Sequence, residues 1–327
     1  IQFYTGNLKL ESGMYSKDRF VKNIRFWLVV ILVVGLCASV SLSAEKDKSS
    51  GGTLEVSVMS FNIRYGTAND GANRWQNRRE MVFEVIARHN PDVVGLQEAL
   101  GFQIDEVCKA LPLYAKIGVG RDDGKTKGEF SAILYRRKKF KIEQAGTFWL
   151  SDTPEVPGSI TWGNACTRIC TWARFTERKS GRAFYHYNLH LDHISQPSRE
   201  KSVILLAERI GNRERPDPFV VTGDFNAGEN NPAILFLKGK GTLKGKSKVE
   251  SENPVPIVDT FRTLHGDAEK VGTFNGFRGT DTGEKIDFVL MSSGVQVLDA
   301  QILHDNVEGR YPSDHFPVTA LLRLRDL

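Results

Sequence analysis

Apolar and polar side chains alternate from Glu55 to Phe61, whereas Asp92 to Leu96 is almost continuously apolar. Further short apolar runs, rich in β-branched or aromatic residues, cover Ser131 to Tyr135, Phe184 to Leu191, Phe219 to Thr222, Ile286 to Leu290 and Pro317 to Leu322. Their length and content predict strands. Two stretches carry a helical period instead. Arg78 to His89 puts Met81, Val82, Val85 and Ile86 on one face and stops at Asn90-Pro91; Arg199 to Ile210 carries Val203, Leu206, Ala207 and Ile210 before Gly211. Many strands with few helices predict an α/β (α+β) fold of two packed mixed β-sheets with helices outside, rather than a pure βαβ series.

The pattern changes at the N-terminus. Residues 17 to 25 hold four basic side chains, Phe26 to Ala38 is nearly all apolar, and the small-residue stretch Ser39 to Ala44 follows. This layout predicts a signal peptide over residues 1–43, with Met14 as a candidate true start, and hence a secreted or periplasmic protein. The apolar run is shorter than the roughly 20 residues that span a bilayer, which sets the alternative of a membrane anchor second. Residues 44–52 are polar and aperiodic, a flexible linker, so a single catalytic domain is expected over 53–327.

Composition is that of an ordinary globular protein, with 25% charged and 40% hydrophobic residues. The formal charge of +5 falls to 39 basic against 37 acidic side chains once residues 1–44 are set aside. That near-balance argues against tracking nucleic acid through bulk charge. Cys108, Cys166 and Cys170 form no complete disulfide framework and read as ordinary buried cysteines. The basic stretch from Lys238 to Lys248 lacks the phosphate-loop spacing and reads as a solvated surface loop.

Residues suited to chemistry cluster at strand ends: Asn62, Glu98, His190, Asp224, Asn226, Asp287, Asp314 and His315. Oxygen donors dominate, which suits a hard divalent ion, Mg²⁺ or else Mn²⁺ or Ca²⁺. Hydrolysis of a phosphate ester is the matching reaction, since an anionic ester needs a cation on its oxygens, a group that orients water, and a donor for the developing charge.

The segments Ser60-Phe61-Asn62-Ile63-Arg64, Pro91 to Glu98, Asn188-Leu189-His190-Leu191-Asp192-His193, Gly223-Asp224-Phe225-Asn226, Lys285-Ile286-Asp287-Phe288 and Ser313 to Val318 carry a resemblance. Together they resemble, in order, the endonuclease/exonuclease/phosphatase superfamily, related to deoxyribonuclease I, AP endonucleases, inositol-phosphate 5-phosphatases and bacterial sphingomyelinases. The resemblance implies a four-layered sandwich with a metal site on one edge. It also implies roles: Glu98, with Asn62 and Asp314, at the metal; Asp224 orienting and deprotonating water; Asn226 and His190 on the phosphoryl oxygens. His315, its tautomer fixed by Asp287, would stabilise the developing charge. Arg168, in Cys166-Thr167-Arg168, resembles an arginine that reaches substrate phosphate, and Asn188 and Asn275 are further substrate-contact candidates. Phe225 stands where AP endonucleases carry Leu, and no match to their Tyr-bearing catalytic segment occurs, so DNA repair is disfavoured; Asn275 stands where similar bacterial proteins carry His, so an imidazole role there is missing. The expected partner is a phosphoester, nucleic acid or lipid headgroup among them, with the protein a monomer.

Rival chemistries fit less well. Ser313-Asp314-His315 names a serine-hydrolase triad, but adjacent residues cannot converge and no G-x-S-x-G elbow occurs. A zinc trio of His186, His190 and His193 has poor strand parity. A non-catalytic binding protein on the same scaffold would be marked by lost site residues, and none is lost here.

Overall fold

In the computed structural model, residues 53–245 and 250–324 are described; the expected leader, the whole of the expected linker and the end of the basic stretch (246–248) lie outside them. Twelve of the strands form two six-stranded sheets. The first sheet has the order β13-β14-β1-β2-β4-β3, from β1 (Leu54–Asn62), β2 (Val93–Ala99), β3 (Tyr114–Ile117), β4 (Phe130–Arg136), β13 (Gln296–Ile302) and β14 (Val318–Leu324). The second has the order β11-β12-β8-β7-β6-β5, from β5 (Phe140–Trp149), β6 (Ile169–Glu177), β7 (Ala183–His190), β8 (Phe219–Asp224), β11 (Ile257–Asp259) and β12 (Asp287–Ser292). The short strands β9 (Leu243–Lys244) and β10 (Glu250–Ser251) pair with each other.

Three apolar layers explain the stacking. Between the sheets, Val56, Val58, Val93 and Val318 meet Phe175, Phe184, Val220 and Val289. On the outer face of the first sheet, Met59, Phe61 and Leu96 receive Val82 and Ile86 of α1 (Trp75–His89), with Ile104 and Val107 of α2 (Gly101–Ala110). On the outer face of the second, Tyr187, Leu189 and Val221 receive Val203, Leu206 and Ile210 of α3 (Gln196–Gly211), with Phe236 of α4 (Pro232–Leu237). A last helix, α5 (Thr260–Leu264), starts at Asp259, whose carboxylate caps the Phe261 and Arg262 amides. This is the expected sandwich of two sheets with helices outside. Sequence periodicity gave no sign of β3, β5, β6, β11 or β13 in the two sheets, and found α1 and α3 but not α2, α4 or α5.

One polar bridge runs through the apolar core. Asn188, fully buried on β7, donates to the carbonyls of Leu96 and Ala132 across the sheet interface at 2.9 Å each and accepts from Gln97 and Thr222 at 2.7 and 2.9 Å. Gly95 makes room for it, because a Cβ there would collide with Thr222 Oγ1 and Asn188 Oδ1. This corrects the expectation that Asn188 contacts substrate, since every polar atom of its side chain is engaged inside the core. Asn188→Ala strips partners from four polar groups, and we expect a loss of about 3 kcal/mol in urea unfolding. A loss below about 0.5 kcal/mol would show that the bridge contributes little.

Candidate active site

Both sheets deliver functional side chains to the same edge. Asn62 ends β1, Glu98 lies near the end of β2, His190 ends β7, Asp224 ends β8, and Asp287 opens β12 directly opposite Asp224 in the antiparallel ladder. Asp314 and His315 lie on the loop leading into β14. Three non-glycine residues here adopt left-handed backbone: Arg64 at φ 54°, Glu98 at 58° and Asn226 at 46°. Glu98 sits where the β2–β4 register slips between Leu96 and Ala99, a bulge that re-aims its side chain. Such conformations cost on the order of 1–3 kcal/mol each and persist where the surroundings hold them.

The buried centre is an acid–imidazole relay. His315 Nδ1 lies 2.8 Å from Asp287 Oδ2, and its Nε2 lies 3.7 Å from Asp224 Oδ2. Burial opposes the imidazolium, but the Asp287 and Asp224 carboxylates override it and hold His315 well above its ordinary value. Burial and the neighbouring Asp287 charge push Asp224 up to about 7, against the pull of His315 and of the Asn62 amide. Asn62 Nδ2 donates to Asp224 at 2.9 Å and to Glu98 at 3.1 Å, so it ties the two carboxylates together. Its oxygen accepts from the Arg64 amide at 3.0 Å. Asn62 therefore ties Asp224 to Glu98, one of the expected metal ligands.

His190 is neutral. Burial first, then the charges of Arg168 and Arg121, hold it well below its ordinary value. Its Nε2 faces Asn226 Nδ2 at 2.9 Å and Asp224 Oδ2 at 3.4 Å. Arg168, 3% exposed, lies along Asp192 Oδ2 at 3.5 Å and against His193 Nδ1 at 2.9 Å, and it lines the same cleft as Asp224. It is no surface pair. Asn275 is fully buried, its Nδ2 near the Ser313 carbonyl at 3.3 Å and its backbone N–H on the Asp314 carbonyl at 2.7 Å. It braces the loop that carries His315 and does not line the cleft, which corrects its expected contact with substrate.

Several residues gave no functional signal in the sequence. Arg78, seen only as a helix residue, donates to the carbonyls of Ile63, Arg64, Asn73 and Pro312 and so ties the loop after β1 to the loop before His315. Arg64 pairs with Asp70 at 3.1 Å and approaches Glu98 and Asp314 at 3.8 and 3.7 Å. Phe274, 51% exposed, sets its ring edge-on to His315 with centroids 5.1 Å apart. Lys285 does not pair with Asp287 but lies buried 2.9 Å from Asp259, in a cluster that also takes in Glu229 and Lys238. Lys238 is thus no free surface charge. Among the described cysteines, Cys166 and Cys108 are half-buried and only Cys170 is fully enclosed.

The donor set fits a hard cation. Ligand atoms of Glu98, His190 and Asp224 lie within 4.8 Å of one another, and Asp287 Oδ1 is buried with no hydrogen-bond partner. Soft zinc chemistry fits less well. His186 gives its Nε2 to Thr222 at 2.7 Å, while Asp192 and His193 both face the Arg168 guanidinium. Ser313 Oγ donates to the Asn62 carbonyl at 2.7 Å, far from a nucleophile's geometry.

This constellation has relatives. A family model described as Endonuclease/Exonuclease/phosphatase family matches residues 59–315. The chain belongs to the endonuclease/exonuclease/phosphatase family. Among solved members, the endonuclease/exonuclease/phosphatase from Bacteroides vulgatus is 33% identical, with a TM-score of 0.73 over 83% of this chain and 100% of its own. The mannosyl-6-phosphatase of Bacteroides thetaiotaomicron is 34% identical, with a TM-score of 0.70 over 82% of this chain and 99% of its own. An uncharacterized protein of Acanthamoeba polyphaga mimivirus is 30% identical over 282 residues, covering 81% of this chain and 98% of its own.

Proposed function

We propose that this protein hydrolyses phosphate esters with the help of a divalent metal ion, by in-line attack of water. The observation that carries the proposal is the Asp224–His315–Asp287 relay, buried beside Glu98 and Asp314 in one cleft. Glu98 and Asp314 would hold Mg²⁺, Mn²⁺ or Ca²⁺, which when bound draws charge from the phosphoryl oxygens. Asp224 orients the attacking water and takes its proton. His315 donates to the charge that develops, and Asp287 keeps that imidazole protonated and aimed. Asn226 and His190 flank the phosphoryl group, and Arg168 offers a fixed fork to its oxygens. With the leader expected at residues 1–43, the reaction takes place outside the cytoplasm.

Chelation provides the test. We expect excess chelator to remove nearly all hydrolysis of p-nitrophenyl phosphate and bis(p-nitrophenyl) phosphate, and added Mg²⁺ or Mn²⁺ to restore it. Full turnover in chelator would overturn the metal assignment, and silence on every phosphoester with metal present would overturn the reaction.

A further inference from the structure

Next to the relay lies a cluster of charges to which the reaction proposed above gives no role. Lys285, two residues before Asp287, has a fully buried side chain. Its Nζ donates to Asp259 Oδ2 at 2.9 Å and lies 3.9 Å from Glu229 Oε1. Glu229 in turn accepts from the Arg262 guanidinium at 2.7 to 3.1 Å. Burial pushes the Lys285 ammonium down to about 8, against the pull of Asp259 and Glu229. Such a cluster contributes little net stability, because desolvation offsets most of the attraction. What it does supply is a fixed arrangement of the segments that carry it.

Those segments frame Asp224 and Asp287. Glu229 lies on the loop that follows Asn226, Asp259 ends β11 and caps α5, and Lys285 leads into β12. Lys285 Nζ sits 3.4 Å from the centroid of the Phe288 ring, and that ring meets Phe225 edge-on with centroids 5.3 Å apart. The Phe225 N–H donates to the Ile286 carbonyl at 2.8 Å. Phe225 and Phe288 each follow directly on one of the two carboxylates. Because successive strand side chains point to opposite faces, both rings pack into the outer apolar layer of the second sheet, away from the relay. Asp224 and Asp287 stand directly opposite in the ladder, where their like charges push the ends of β8 and β12 apart. The ammonium, the two rings and the two partner carboxylates join those ends from behind.

We propose that Lys285 is a positioning residue: with Asp259 and Glu229 it clamps the ends of β8 and β12 from their outer face, so that Asp224 and Asp287 both stay within reach of His315. This deepens the phosphoester reading above, on which its kinetic test rests. The full Mg²⁺-supplied chain is assayed with p-nitrophenyl phosphate and bis(p-nitrophenyl) phosphate. In Lys285→Met, which keeps the apolar stem, kcat should fall by about thirtyfold or more while KM changes by less than about threefold. The same substitution placed in Asp224→Asn should cost no more than about threefold further, because the neutral amide removes the repulsion that the clamp opposes. A full further loss in that background would mark general damage and overturn the role. Glu229→Gln, at the half-buried edge of the cluster, serves if Lys285→Met does not fold; it should lower kcat by about threefold or more, with the same dependence on Asp224. Native kcat in either folded variant would overturn the clamp. Proton NMR reads it without substrate: the His315 Nδ1–H resonance, identified by its loss in Asp287→Asn, should shift or broaden in the same variant, and an unmoved resonance would overturn the clamp whatever the chain hydrolyses. A native chain silent on both esters, with the resonance moved in the variant, would remove the reaction and leave the clamp standing.

Discussion

Asp224→Asn should lower kcat for any phosphoester by about three orders of magnitude, roughly 4 kcal/mol of barrier, while the protein melts no lower than the native form. The two halves of this expectation share one cause. Asp224 is 1% exposed and faces Asp287 across the β8–β12 ladder, so its carboxyl is pushed up to about 7 by burial and by a like charge. A group held in such a place costs stability for the sake of chemistry. The neutral amide relieves the repulsion and cannot take a proton from water. Single-turnover kinetics and a thermal melt check both halves, and a variant retaining a tenth of native turnover would remove Asp224 from its assigned role.

Asp287→Asn is the second large effect. Asp287 lies 2.8 Å from His315 Nδ1 and is the foremost charge holding that imidazole well above its ordinary value. With the carboxylate gone, His315 titrates lower, so its protonated form is lost at a lower pH. The alkaline limb of the pH–kcat profile should move down by at least about one unit, and the maximum should fall by two orders of magnitude or more. An unmoved alkaline limb would show that His315 does not act as a protonated group.

How legible all this was in the sequence varied with distance along the chain. Glu98, Asp224, Asp287 and His315 stand in short motifs at strand ends, where local pattern and residue type suffice. The strands missed at the edges have mixed sequences: in Phe140–Trp149 only the first residue and the last two are buried, so no period-2 alternation marks it. Asn188 looked like a site residue because it stands two places before His190, yet period 2 along a strand fixes only a shared face, not which groups oppose it. Gln97 and Thr222, which occupy it, lie 91 and 34 residues away. Arg78 was invisible for the same reason, since one of its acceptors, the Pro312 carbonyl, is 234 residues distant.

The connectivity of the two sheets has a consequence for biosynthesis. The second sheet uses one continuous stretch of chain, from Phe140 to Ser292, whereas the first needs β1 to β4 together with β13 and β14. As the polypeptide leaves the ribosome, Asp224 and Asp287 can therefore reach their ladder before β1 has its partner β14. Leu54 faces Leu324 across that final ladder, so the two ends of the folded domain are neighbours. A short peptide could join them, with new termini opened at the turn around Lys179 and Ser180, at the end of β7 opposite His190. Such a circular permutant would keep every site residue in place while reversing the order in which the sheets are completed.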